Sequence, residues 1–262
     1  MEVLHPRCAG LDVHKDSIVA CARIVAPQGL QQHVETFGAT TTELLRLSDW
    51  LAGHAVTHVA MEATGIYWRP VWHVLEADFD LVLANAMHIK NVPGRKTDVN
   101  DAMWIADLLA HGLIRGSFVP PTAVQELRTL TRTRKQLVRE RAAHVQRIDK
   151  VLQDANLKLG SVLTDIMGQS GRALLAAIVS GQTSPEQLAT LVSPRVKAPR
   201  RDIVEALRGH VTAHHRFLLQ LHLDQVATLE EAIAKVDAEV GATLAPFQLA
   251  ARRLTTIPGV ST

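Results

Sequence analysis

Aromatic side chains are scarce in this sequence, at 4% of 262 residues with a single tyrosine. A protein that holds single strands by stacking base after base needs an aromatic platform for each. Any nucleic-acid contact here is therefore expected to rest on charge. Cysteine is scarce too: Cys8 and Cys21 are the two present. They flank a predicted turn and are expected opposite each other on a hairpin, as thiols, because cytosolic cysteines are kept reduced. Long apolar runs are missing. The longest, residues 173–179, falls far short of the roughly 20 residues that cross a bilayer. The opening MEVLHPRCAGLD lacks the apolar centre of a signal peptide, so a cytoplasmic protein is expected. An excess of one charge is missing as well, the formal net charge being only +2. The thirteen histidines are scattered. His210 and His214 stand four apart without a third ligand at zinc-site spacing, so no structural zinc is expected.

What is present is ordinary in bulk, 47% hydrophobic and 21% charged, as for a globular chain of one large domain or two modest ones. The order of patterns is more informative. GLDV and SIVACARIVA, across residues 9–26, are β-branched and joined by HKD, which reads as a tight turn. VETFGA (34–39) reads as a third strand. Residues 41–54 carry Leu44, Leu45, Leu47 and Leu51 at helical spacing. HVAMEAT is a short apolar strand, Gly65 opens a helix with Trp68, Val71, Trp72 and Leu75, and DLVLANA (80–86) is a buried strand. After Pro93-Gly94, residues 98–109 form a helix. Strands followed by alternating helices imply a mixed sheet flanked by helices, ending near Pro120-Pro121.

Beyond that point strand signals vanish. Residues 122–158 form one long helical pattern through Leu127, Leu130, Leu137, Val138, Val145, Ile148 and Leu152, with Arg134 and Arg141 inside the apolar stripe. Arginines so placed can snorkel to water. Between residues 128 and 150 stand eight Lys or Arg against Glu140 and Asp149, an excess suited either to phosphates or to a solvated face. Ser184-Pro185-Glu186-Gln187 is a capping signal, and SPRVKAPRRD (193–202) a basic linker. A second long helix runs through Leu219, His222, Val226, Leu229, Ile233, Val236 and Val240. That spacing fits a coiled coil or a helix packed within the chain's own bundle.

Four carboxylates stand out by position. Asp12 lies in the first strand, where burying a charge is costly unless it is paired or bound to a cation. Glu62 ends the HVAME strand. Asp98 and Asp101, in KTDVNDA, are expected to share a face of the closing helix. Each has a plain alternative: Asp12 as a turn residue, Glu62 bonded to the next helix, Asp98 as an N-cap. Together they put acids at one end of a sheet. Carboxylates held together repel unless a cation neutralises them, and oxygen-only sites suit Mg²⁺ or Mn²⁺. Two such ions can activate an attacking oxygen and stabilise a leaving one in phosphodiester chemistry.

The segments GLDVHKDSIVACA, VAMEATGIYWRPVWHVL and NAMHIKNVPGRKTDVNDAMWIADLLAHGLIRGSFVPP resemble the N-terminal domain of the insertion-sequence-110 transposases. The likeness is dense over residues 8–121 and looser beyond. It implies an α/β fold, with an RNase H/RuvC-like mixed sheet followed by an all-α, coiled-coil region. It implies that Asp12, Glu62, Asp98 and Asp101 are both catalytic residues and ligands to Mg²⁺ or Mn²⁺. It also implies cutting and rejoining of DNA at an element's ends, guided by an element-encoded RNA, by a homo-oligomer with no membrane partner. Expected domains are 1–121 (catalytic), 122–250 (coiled coil) and 251–262, the start of a truncated C-terminal domain. The ending LTTIPGVST resembles the opening of the family's serine-bearing domain, and Ser261 is not matched to that serine. Expected nucleic-acid contacts are Arg95 and Lys96 before the acidic helix, and Arg132, Arg134, Lys135 and Arg139 on the long helix. Two other readings stand beside this one. One is an inactive remnant that dimerises and binds nucleic acid. The other is an actin-like phosphotransferase, which lacks support because no glycine-rich phosphate loop follows the first strand.

Overall fold

The computed structural model describes residues 2–62, 65–85, 89 and 100–259. The chain divides into two compact units, Met1–Pro120 and Pro121–Thr262. In the first, β1 (Arg7–Val13), β2 (Ser17–Ala26), β3 (Gly29–Gly38), β4 (His58–Glu62) and β5 (Asp80–Ala84) form one sheet. Its order is β3-β2-β1-β4-β5. The first three strands pair antiparallel, whereas β4 and β5 run parallel to β1. This is the expected mixed sheet. β2 is buried almost throughout because it pairs on both sides and is covered on both faces. β3 extends five residues earlier than its apolar pattern implied. The polar stretch GLQQH carries no alternation, and its register opposite β2 (Arg23↔Gln32, Val25↔Leu30) makes it a strand.

The hairpin turn centres between Lys15 and Asp16, since Val13 pairs with Ile18. That is one residue later than expected, and each residue's partner shifts by two. Cys21 therefore faces Gly10, and Cys8 faces Arg23. Both cysteines are free and buried. Burial pushes the Cys8 thiol up to about 11 and that of Cys21 up to about 12, so neither is a nucleophile near neutral pH.

The sheet's two faces differ. Ala9, Leu11 and Val13 point to the larger core, with Ile18, Phe37, Leu47, Leu51, Met61, Val71 and Leu75. The helices α1 (Thr41–Gly53) and α2 (Trp68–Leu75) contribute the leucines and Val71. Each fully buried large side chain here contributes about 1.5–3 kcal/mol. The other face is covered by α3 (Asp101–Ala110), whose Ile105, Leu108 and Leu109 pack with Cys8, Ala60 and Ala84. α3 lies so close to β1 that a Cβ on Gly10 would stand 2.3 Å from the Ala102 carbonyl oxygen and 2.4 Å from the Ala106 nitrogen. Only glycine permits that approach.

The second unit is helical: α4 (Thr122–Asp154), α5 (Leu159–Val162), α6 (Gln169–Val179), α7 (Pro185–Leu188), α8 (Arg200–Ala206), α9 (Ala213–Leu244) and α10 (Gln248–Leu254). Helices α5 to α8 gather around one end of an antiparallel pair formed by α4 and α9. The core there includes Ile148, Leu152, Leu174, Leu175, Ile203, Leu219 and Val226. Ser184 caps α7 by accepting from the Gln187 N–H, as its sequence signal required. Thr212 and His215 form a capping box at the start of α9, and the His215 ring lies 2.9 Å from Asp154 Oδ2.

Away from that core the pair is held differently. Leu229, Ile233 and Val236 are half-buried and Val138 is exposed. Arg141 donates to Glu230 at 2.7 and 2.8 Å, Arg172 joins it at 2.6 Å, and Arg134 pairs with Asp237. Arg134 and Arg141 thus reach across to α9 rather than snorkelling to water. Burial alone would raise the Glu230 pKa, but Arg141 and Arg172 hold it below the usual carboxylate range. The hydrogen bond from Arg134 does the same for Asp237. Among the described residues no helix is long and apolar enough to cross a membrane.

Candidate carboxylate site

Register fixes where two of the four acids stand. Leu11 pairs with Met61 in the parallel β1–β4 ladder, so Asp12 and Glu62, one residue further along, lie level on strands about 4.8 Å apart. Side chains alternate between faces. Gly10 and Ala60 pack under α3, so Asp12 and Glu62, two residues beyond each, project to that same face. They lie at the C-terminal end of both parallel strands, where the apolar core gives way to solvent.

The helix puts the third, Asp101, at the same end of the sheet. Ala102 lies over Gly10, Ala106 accepts from the Cys8 thiol at 3.5 Å, and Ala110 accepts from the Leu4 N–H at 2.8 Å. α3 therefore runs antiparallel to β1, with its N-terminus at the end carrying Asp12 and Glu62. Asn100 has non-helical backbone and caps the helix by accepting from the Ala102 N–H at 2.9 Å. Asp101 is the first helical residue. This corrects the expected start at residue 98, since asparagine, a strong N-cap residue, takes the capping role. Asp98, Arg95 and Lys96 lie outside the described residues.

Two neighbours were not anticipated. His14 Nε2 lies 3.0 Å from Asp12 Oδ2. The sequence marked HKD only as a turn, and nothing in its spacing shows that the ring folds back onto the strand. Arg23, almost fully buried, donates to Asp107 Oδ1 on α3 at 3.1 Å, while its Nη1 is buried with no partner. An arginine in the apolar run SIVACARIVA was the visible signal. A guanidinium that deep must be paired, and its partner ties α3 to β2.

The donor chemistry of Asp12, Glu62 and Asp101 is carboxylate oxygen, which fits a hard divalent cation. Among the described residues no three His, Cys, Asp or Glu side chains stand as a group able to hold a metal ion. On α4, Arg132, Lys135 and Arg139 are exposed, whereas Arg134 is taken up by Asp237.

The first unit is a mixed five-stranded sheet with Asp12 and Glu62 at the C-terminal end of two parallel strands and Asp101 at the start of the covering helix. The chain belongs to the DEDD transposase family of the insertion-sequence-110 type, whose family model, described as transposase, matches residues 9–157. No curated protein matches the chain. Among solved structures it is similar to RuvC of Thermus thermophilus, with 16% identity and a TM-score of 0.31 over 42% of this chain and 99% of that one. The same protein in complex with Holliday junction substrate gives 14%, 0.30, 42% and 99%. The Fowlpox virus resolvase in complex with Holliday junction DNA gives 9% and 0.26, over 35% of this chain and 65% of that one.

Proposed function

We propose that this transposase-family chain cuts and joins DNA strands at the ends of an insertion element, with Asp12, Glu62, Asp98 and Asp101 as its catalytic carboxylates. The observation that carries the reading is the level placement of Asp12 and Glu62 on parallel neighbours, beside the N-terminus of α3, in a member of the DEDD family. These four residues would hold Mg²⁺ or Mn²⁺. When bound, such ions activate an attacking oxygen and neutralise charge on a leaving one. The chain's own part is to fix the carboxylates on rigid strands, with Gly10 and the Arg23–Asp107 pair seating α3 and His14 orienting the Asp12 carboxylate. Residues 1–121 would form the catalytic domain. Residues 122–250 would form a coiled-coil region through which copies of the chain assemble in the cytoplasm. Phosphates of DNA and of an element-encoded guide RNA would meet Arg95 and Lys96, and Arg132, Lys135 and Arg139 on α4. Arg134 is a weaker contact because it must first leave Asp237.

The test is cleavage of duplex DNA carrying the element's ends, with the element's RNA added, by the native chain and by Asp12→Asn and Glu62→Gln. Each change removes a charge with little change of shape. Divalent-dependent cleavage that falls by 100-fold or more in both variants, an order of magnitude set by the role of metal-held charge, supports the reading. Nucleic-acid binding without cleavage in the native chain would instead support an inactive, nucleic-acid-binding remnant.

A further inference from the structure

A small cleft lies at the acidic end of the sheet, across its edge from the carboxylates. It has a volume of about 130 Å³ and is lined by His14, Lys15, Ile18, Leu44, Tyr67 and Val71, among others. Its floor is core: Ile18, Leu44 and Val71 are buried. Its walls are not, for Tyr67 is 41% and Ile66 67% exposed. These two follow Gly65, whose positive φ of 57° turns the chain after β4. Tyr67 and Ile66 thus add exposed apolar surface beside an apolar cleft. The rim carries one cation, Lys15. Lys15 is exposed, and His14 both lines the cleft and lies 3.0 Å from Asp12.

We propose that this cleft takes one unstacked nucleobase of the DNA strand whose backbone passes the carboxylates, with the ring of Tyr67 as its stacking surface. The proposal rests on the DNA-recombinase reading and adds to it a base-binding subsite. A nucleobase has two apolar faces, which the cleft and Tyr67 match. It is attached to a phosphate, which the charge of Lys15 matches. An aliphatic or aromatic side chain of a protein partner would use the floor but leave Lys15 without a role. Position adds to the case: His14 both contacts Asp12 and lines the cleft, so the cleft opens at the same end of the sheet as Asp12. The sole tyrosine of a chain poor in aromatics thus stands where stacking on a single base is useful.

The test compares binding of a twelve-nucleotide oligothymidine with binding of a twelve-unit abasic backbone of the same charge, in Ca²⁺. It uses the native chain, Tyr67→Ala and Tyr67→Phe. The native chain and Tyr67→Phe should prefer the base-bearing strand by roughly 5- to 150-fold, the range that one stacked base supplies. Tyr67→Ala should lose that preference and keep its affinity for the abasic strand, since phosphate contacts are untouched. An equal base preference in the native chain and Tyr67→Ala overturns the proposal. If circular dichroism shows Tyr67→Ala misfolded, Ile66→Ala is read by the same criterion. Metal-dependent cleavage by a native chain that shows no base preference would sink the cleft alone. Neither binding nor cleavage by the native chain would sink the recombinase reading and the cleft with it.

Discussion

The sheet with α3 and the far half of the α4–α9 pair solve the same problem, holding two elements together, by opposite means. α3 meets β1 through a glycine, with Ala102, Ile105 and Ala106 fully buried. α4 meets α9, away from the core, through half-buried aliphatic residues and the ion pairs of Arg134 and Arg141, with Arg172 of α6 adding to Glu230. Dry contact at close range fixes position and tolerates little change in volume. Exposed ion pairs contribute about 0.2–1 kcal/mol each and weaken with salt. The difference shows where the molecule needs accuracy: the start of α3 must be set against β1 and β4, because the proposed carboxylates are divided among them. The helical pair needs only to stay associated.

The comparison can be broken at its tightest point. Gly10→Val puts a side chain where the Ala102 oxygen lies 2.3 Å from the first carbon. We expect a loss of about 3 kcal/mol, by overpacking, in denaturant unfolding, with α3 displaced and metal-dependent activity lost together. A stable variant with full activity would show that α3 is not seated by this contact. The helical pair should yield less. Leu229→Glu with Ile233→Glu introduces two charges at half-buried positions, where water still reaches them, and should cost about 2 kcal/mol. Unchanged melting and unchanged sedimentation would mean that the stripe packs against nothing.

The smallest expected effect is on pH. Burial first, then the charges of His144 and Arg147, lower the His222 pKa below its ordinary value; its ring meets that of His144 where α4 and α9 cross, with Nδ1 atoms 3.3 Å apart. The unfolded imidazole therefore takes a proton first as pH falls through about 6.5. Stability is full above that value, declines below it, and levels off once the folded ring protonates too. The depressed Glu230 and Asp237 contribute a later loss, below the usual carboxylate range. Denaturation of His222→Gln between pH 7.5 and 5.5 should show a flatter decline than the native chain. Equal slopes would place the proton uptake elsewhere.

Much of this was legible in the residues because the signals were local. Alternation in SIVACARIVA, the Ser184 cap and the leucines of residues 41–54 carry their own periods. The first half of β3 is polar, shows no alternation, and becomes a strand only through pairing with β2. The shift of Cys8 and Cys21 came from a turn set one residue early, which moves every cross-strand partner by two. Of the acids, Asp12 and Glu62 were noticed for their apolar surroundings, which a sequence displays. The His14 contact and the Arg23–Asp107 pair span folded geometry, which no spacing along the chain reveals. The helix start moved from residue 98 to Asp101 because Asn100 caps it.

The central claim, that Asp12 and Glu62 meet as metal ligands beside α3, is tested most directly by titrating the full chain with Mn²⁺ and following free ion by electron paramagnetic resonance. The account predicts saturable binding in the native chain, weakened at least 10-fold by Asp12→Asn and by Glu62→Gln, as expected when a charged ligand is removed. Asp80→Asn, a change at the opposite end of the sheet, should leave it unaltered. Native-strength Mn²⁺ binding in both Asp12→Asn and Glu62→Gln would contradict the account.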